Sequence, residues 1–166
     1  MQVFIPYNNI LQVVKEMACD KRRYNKQIVE CNQIIRAIKG ETEAWKNHPI
    51  CHQYKNCVKW LEWYKYIFEE YRNNNYIFSE EQKNNLLSWQ PPLPPFLSNE
   101  EYLNSHKRRL YQKSPELYTQ FEQYNNEKDK SNWYCVPIEF NVPKRKGVSS
   151  VDFYGINGNY KIIKYE

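Results

Sequence analysis

The chain has 166 residues, a formal net charge of +5, five cysteines, four glycines and nine prolines. That length suits one domain with a real core, and the cysteines are too sparse for a disulfide-framed miniprotein. Collagen-like and coiled-coil compositions are excluded too. A mean hydropathy of −0.91 would suggest disorder, but 15 Tyr, 5 Trp and 7 Phe supply the buriable surface that disordered chains lack.

No apolar run approaches the roughly 20 residues of a spanning helix, so no membrane partner is expected. The opening Met1-Gln2-Val3-Phe4-Ile5-Pro6-Tyr7 lacks the basic-then-apolar order of a signal peptide. The expected location is the cytoplasm, with nucleoid association or a viral host's cytoplasm as variants, and Cys19, Cys31, Cys51, Cys57 and Cys135 as reduced thiols. The modest positive surplus permits a nucleic-acid partner without demanding one.

Val3 to Tyr7 reads as an extended arm ended by Pro6. Asn8 or Asn9 can cap a helix running through Glu16 or Met17. Asp20 caps a second helix to Lys39, with Gly40 as its stop; Tyr24, Ile28, Cys31, Ile35 and Ile38 make its core stripe. Beside that stripe lie Arg23, Gln27 and Glu30, with Lys26 at the edge. Pro49 suits the first turn of a third helix, expected from Ile50 to Arg72. Residues 76–97 look irregular, with Pro91-Pro92-Leu93-Pro94-Pro95 extended as polyproline II; a stiff connector over the core is favoured over an SH3 or WW ligand. Ser98 and Glu101 read as a capping box for a fourth helix to about Gln112. Ser114-Pro115 opens a fifth that ends near Asn125. Trp133 to Pro137 is a short apolar segment on the core. Residues 151–156 and 159–164 flank Asn157-Gly158, the strongest short hairpin signal. The expected fold is mainly α: a compact single-domain helical bundle (1–143) whose basic segment and β-hairpin tail (144–166) belong to the same domain.

Three constellations bear on chemistry. A carboxylate at Glu30, on a helix face with Arg23 and Gln27, can act as general acid or base if that face lines a pocket; a solvated polar face is the simpler alternative. His48, Cys51 and His52 share a helix face, but structural zinc draws on two knuckles and no second one is visible; no metal or other cofactor is expected, and His48 reads as a helix-start residue lining a cleft. Basic residues cluster at Lys21-Arg22-Arg23, at His106-Lys107-Arg108-Arg109 and at Lys144-Arg145-Lys146. On one face they would grip phosphates; scattered, they only solvate the surface. Phosphate-cradling glycine loops, G-x-S-x-G and C-x-x-C motifs are missing.

Five short elements in the same order carry a resemblance. The opening fits M-Q-x-F-x-P-Y. Asp20, Arg23, Lys26, Gln27, Val29 and Glu30 fit L-D-x-x-R-L-x-K-Q-x-V-E, with Tyr24 in place of leucine. Trp45-Lys46-Asn47-His48-Pro49 fits W-x-N-H-P. Ser105-His106-Lys107 with Leu110 fits S-H-[RK]-x-x-L, and Tyr134-Cys135-Val136-Pro137 echoes Y-V-W-P. Over roughly residues 1–137 the chain thus resembles the pyrimidine-dimer DNA glycosylase family, the phage-type endonuclease V group, and more closely its bacterial branch.

The resemblance implies a helical fold and base excision in which an N-terminal α-amine attacks the sugar C1′ and a glutamate assists proton transfer and a Schiff-base lyase step. An α-amine suits this role because, unlike lysine, it is partly unprotonated near neutral pH. The matching glutamate is Glu30. Arg23, Lys26, Gln27, His48 and His106 would bind the substrate. Lys21, Arg22, Lys107, Arg108, Arg109, Lys144, Arg145 and Lys146 would hold the DNA backbone. The founding enzymes expose a small second residue after methionine removal, whereas bulky Gln2 predicts a retained Met1 and an amine one residue further out. The leading expectation is a glycosylase, with or without lyase activity, acting on DNA. The alternatives are a non-catalytic nucleic-acid-binding protein and a nucleotide-like ligand-binding protein on the same fold. The Pro-rich loop and the hairpin are candidate contacts for a protein partner.

Overall fold

The computed structural model describes residues 1–142, the backbone of 148–156, and residues 159–165. Within these residues the chain is mainly helical, as expected, with a small antiparallel sheet at its C-terminal end. Among the described residues no helix is long and apolar enough to cross a membrane.

Helix α1 spans Ile10–Met17, and Asn9 caps it by accepting the Leu11 and Gln12 amides. Helix α2 spans Lys21–Ile38 with Asp20 as its N-cap; Gly40 follows at φ 75, the left-handed stop foreseen. The α2 core stripe is buried at Tyr24, Ile28, Cys31 and Ile35. The adjoining polar stripe is not solvated throughout: Gln27 and Glu30 are buried too.

The long third helix is in fact broken. Helix α3 covers Pro49–Tyr54, a 3-10 turn covers Lys55–Cys57, and helix α4 covers Val58–Asn73. The two pieces serve different neighbours: α3 lies against the strand that begins at Asn132, α4 against α2. A straight helix cannot turn its apolar face to both.

The stretch read as irregular contains helix α5, Glu80–Ser88, opened by a complete capping box between Ser79 and Gln82. Trp63 Nε1 donates to the Leu86 carbonyl and ties α5 to α4. The proline run is extended as far as Pro94, but Pro95–Ser98 is a 3-10 turn that drives Phe96 and Leu97 into the core.

Helix α6 spans Glu100–Lys113, and its cap is Asn99, which accepts the Tyr102 amide at 2.8 Å. Ser98 instead donates to Pro95 O, so the Ser98–Glu101 capping box does not form. Ser114-Pro115 opens no α-helix. Ser114 is the α6 C-cap, its hydroxyl donates to Asp20, and only a 3-10 segment follows, Thr119–Tyr124.

Strand β1, Asn132–Pro137, pairs antiparallel with β3, Tyr160–Tyr165, which pairs in turn with β2, Val148–Ile156, giving the order β1-β3-β2. The apolar segment at 133–137 is therefore a strand joining the hairpin to the helical body. Asn157-Gly158 and the Lys144-Arg145-Lys146 cluster lie outside the described residues.

The aromatic excess forms a continuous column. Ring contacts run from Tyr24 to Phe68 (4.6 Å), Tyr64 (4.7 Å), Trp60 (5.4 Å) and Tyr54 (6.4 Å), then through Phe96, Tyr102 and His106 to Phe4. It links α2, α4, α3, α6 and the N-terminal arm, and large rings lend that contact beyond their buried area. All five cysteines are free thiols.

No atom lies within 4 Å of a Cβ built on Gly40, so only its backbone conformation resists substitution. Gly40→Ala is expected to lower stability in urea unfolding by about 1 kcal/mol with an unchanged circular dichroism spectrum.

Candidate active site around Glu30

The N-terminal arm runs through the interior as extended backbone, with no strand pairing it among the described residues. In extended backbone the C=O of one residue and the N–H two residues on point the same way. The Gln27 amide meets both: its Oε1 accepts from Phe4 N at 2.7 Å and its Nε2 donates to Gln2 O at 3.3 Å. Gln2 N, on that same side, approaches Glu30 Oε2 at 3.4 Å. The odd residues turn to the opposite side, where Ile5 N donates to His106 Nδ1 at 2.7 Å and Met1 O accepts from the Tyr134 hydroxyl at 2.8 Å. Tyr64 donates to Phe4 O at 2.7 Å. Side chains from α2, α4, α6 and β1 thus supply the pairing a neighbouring strand would give.

This places Glu30, 8% exposed, against the first peptide of the chain. The Met1 nitrogen is three covalent bonds from that peptide's own nitrogen, within about 4 Å of it. Lys26 Nζ stands 3.7 Å from Glu30 Oε1, with most of the lysine in solvent. Arg23 is held by Asp20 at 3.4 Å and lies over the Phe4 ring at 5.5 Å. Asp20 also accepts the Arg23 amide at 2.9 Å, so a single cap both starts α2 and aims the guanidinium.

The electrostatics show what converges here. Lys113, at the end of α6, has its pKa lowered by burial first, then by Arg109, Arg23 and Lys26, with Glu30 opposing. Arg109 is likewise lowered by burial, then by Arg108, with Asp129 and Tyr134 opposing and Arg23 adding. Burial and then the Glu30 charge raise the Tyr134 phenol. Four cations, Arg23, Lys26, Arg109 and Lys113, therefore share one field with a buried carboxylate. Such a rim attracts a polyanion while the carboxylate stays available for proton transfer.

Of the residues foreseen, Met1, Arg23, Lys26, Gln27 and Glu30 come together. His48 joins them at one remove: its ring stands edge-on to Tyr134 at 5.4 Å and its Nδ1 accepts the Ile50 amide as the α3 cap. His52 packs on Phe140 at 4.3 Å and Cys51 is buried, so the three do not form a cluster; no group of three potential ligands able to hold a metal occurs among the described residues. His106 is not at the mouth but fully buried, and it holds the arm. Lys107 is buried between the Tyr7 and Tyr124 rings. Arg108 pairs with Asp129 at 2.8 Å. Lys21 lies over Tyr76 and Arg22 is exposed. Of the His106–Arg109 run, then, Arg109 alone reaches the site.

Sequence reasoning missed three contributors. Lys113 is far from α2 in sequence and carries no local signal, and Tyr134 enters only as the head of the Y-V-W-P echo, with no role attached. Gln2 enters the sequence reading only through the opening motif and methionine processing, although an amide in an otherwise apolar arm is a clue.

A buried carboxylate beside the first residue, with cations about it, is an arrangement that can support acid–base or amine chemistry on an anionic substrate. The family model for pyrimidine dimer DNA glycosylases matches residues 1–84, and the chain belongs to that family. The match contains the arm, α2 and His48, and stops short of α6 and β1, which supply Arg109, Lys113 and Tyr134. No curated protein and no solved structure matches the chain.

Two outcomes test the arm. Gln27→Met removes both arm bonds without changing bulk, and denaturant unfolding should show a loss of about 2–4 kcal/mol, with faster hydrogen exchange at Phe4. For His106, burial and then the Arg108 charge push the imidazole down to about 3. The folded state therefore keeps it neutral while the unfolded chain takes up a proton below about pH 6.5. Its contribution is complete above pH 6.5 and is lost as pH falls toward 3, at up to about 1.4 kcal/mol per pH unit. His106→Gln, titrated in parallel, should show a correspondingly shallower loss.

Proposed function

We propose that the protein excises a damaged pyrimidine from DNA, with the N-terminal α-amine as nucleophile and Glu30 as the proton-transferring carboxylate. The observation that carries this reading is the approach of Gln2 N to Glu30 Oε2 at 3.4 Å inside a rim of four cations. Family membership supplies the substrate class.

In this reading the unprotonated amine attacks C1′ and the C1′–N bond breaks. The base leaves with the electron pair and takes up a proton. Glu30 accepts the proton released by the amine and stabilises the cationic imine that forms on ring opening. Removal of a C2′ proton then allows β-elimination of the 3′ phosphate, the lyase step. Tyr134, bonded to Met1 O, limits the directions the amine can take. Arg23, Lys26, Arg109 and Lys113 hold the phosphates on either side, and their charge favours the sugar–phosphate chain over a neutral ligand.

Borohydride should trap a covalent adduct on duplexes carrying a thymine dimer or an abasic site. Glu30→Gln should reduce the trapped product by about a hundredfold or more. Intact mass identifies the residue bearing the amine. Adding one glycine before Met1 should abolish trapping; trapping that survives would move the nucleophile elsewhere, Lys26 being the lysine amine nearest Glu30 among the described residues, at 3.7 Å. Duplex affinity should fall with salt, and Arg109→Ala and Lys113→Ala should each lower the log–log slope by about one. Lesion binding with that slope but no adduct would indicate the non-catalytic nucleic-acid-binding alternative. Binding of free nucleotides without it would indicate a small-ligand protein.

A further inference from the structure

Trp45 lies in the loop between α2 and α3 and is costly to the fold in two ways. Its backbone sits at φ 68, the left-handed region that bulky side chains rarely adopt because Cβ crowds the carbonyl that follows. Its indole is 49% exposed, so burial offsets little of that strain. The turn is closed by His48 N donating to Trp45 O at 2.8 Å, a bond that any residue at this position could accept and glycine could accept without strain. A side chain that burdens the fold and faces solvent points to work outside the fold.

Its neighbours give that work a place. The indole meets the His48 ring edge-on at 5.7 Å, and His48 meets Tyr134 edge-on at 5.4 Å. The Tyr134 hydroxyl in turn donates to Met1 O at 2.8 Å. A ladder of rings therefore runs from the first residue of the chain to solvent, and it ends on Trp45. An edge-to-face contact leaves at least one face of the indole open. Trp89 is a useful contrast. It is as exposed, at 48%, but its backbone is ordinary, with φ −118, and it rests on Tyr66 of α4 at 5.4 Å. No ring contact links Trp89 to Tyr134 among the described residues.

We propose that Trp45 recognises distorted duplex, its indole stacking on a base face left uncovered beside the site. The inference rests on the duplex substrate proposed above and goes beyond the excision chemistry. Arg23, Lys26, Arg109 and Lys113 attract any duplex, because phosphates are the same in damaged and intact DNA. An exposed indole distinguishes the two. In intact duplex both faces of every base are covered by neighbours. Where the helix is kinked or a stacking partner is lost, a face is uncovered and an aromatic side chain can take the missing neighbour's place. Every base has a π-face, so this contact selects distortion and not the identity of a base. Trp45 belongs to neither flanking helix, so the indole can settle on a base without moving Glu30 or the arm.

The test reads affinity and tryptophan fluorescence of the full chain on three duplexes: intact, carrying a thymine dimer, and carrying one unpaired base but no lesion. The wild type should prefer both distorted duplexes to the intact one, and only those two should quench its fluorescence. Trp45→Ala should reduce that preference by about five- to hundredfold, with affinity for intact duplex and the salt slope unchanged. Trp45→Phe should keep most of the preference and lose the quench. Trp45→Gly should lose the preference as Trp45→Ala does while unfolding at a higher denaturant concentration than Trp45→Ala, so the loss is not one of folding. Trp89→Phe should alter neither preference nor quench. Preference retained in full by Trp45→Ala overturns the inference. So does an equal quench by intact duplex, or an equal loss of affinity on all three duplexes. Each of these leaves the excision reading to borohydride trapping. Preference and quench that depend on Trp45 in a protein that forms no adduct keep distortion recognition and remove the excision reading. A wild type with neither preference nor adduct overturns both.

Discussion

The fold turns on one requirement: the first five residues run through the core, and their backbone polar groups must find partners there. Most proteins meet this need with a neighbouring strand. Here the Gln27 side chain stands in for one, with a donor and an acceptor spaced to meet Gln2 O and Phe4 N. Its burial, 0% exposed, makes those bonds hard to exchange for water. His106, Tyr64 and Tyr134 complete the pairing from three other elements. The arm is therefore where α2, α4, α6 and β1 are held to one another, and it carries the first residue of the chain to the foot of Glu30.

That constraint explains why residues with the look of catalysts divide into two groups. His106 has the residue type and the motif of a site histidine, but its ring is spent on Ile5 and kept neutral by burial. Glu30 sits one helical turn from Gln27 on the same face, at the edge of the buried zone, where Lys26 and solvent still reach it. A carboxylate in that position lies among cations and within reach of solvent. The same cations, drawn from the start of α2 and the end of α6, make the mouth attractive to a phosphodiester chain. Local charge clusters were a poor guide to this. Lys107 and Arg108 are adjacent in sequence to Arg109, yet one is folded between aromatic rings and the other is committed to Asp129.

Misread elements share a cause. The break between α3 and α4 follows from their different neighbours, β1 for α3 and α2 for α4, which no periodicity in one segment contains. Helix α5 was overlooked because Ser79 and Gln82 signal a start while the asparagines and the proline run around them argue for a loop. At the head of α6, Ser98 and Asn99 are both competent caps, and the 3-10 turn that buries Phe96 and Leu97 decides for Asn99. Trp133 to Pro137 has the composition of a strand, but a strand needs a partner, and its partner lies some thirty residues downstream at Tyr160–Tyr165.

The sequence by itself determined the class of fold, the starts of α1 and α2 and the stop of α2 at Gly40, because capping and helical periodicity act over a few residues. It also determined that Arg23, Gln27 and Glu30 lie on one helix face, and through five short motifs it pointed to the family. Tertiary structure alone decided which polar residues on that face are buried, which cations surround Glu30, and that Tyr134 and Lys113 belong to the site. It alone left the Gln2 amide without a partner among the described residues. Burial and electrostatic fields depend on elements brought together from opposite ends of the chain, and no local pattern encodes that meeting.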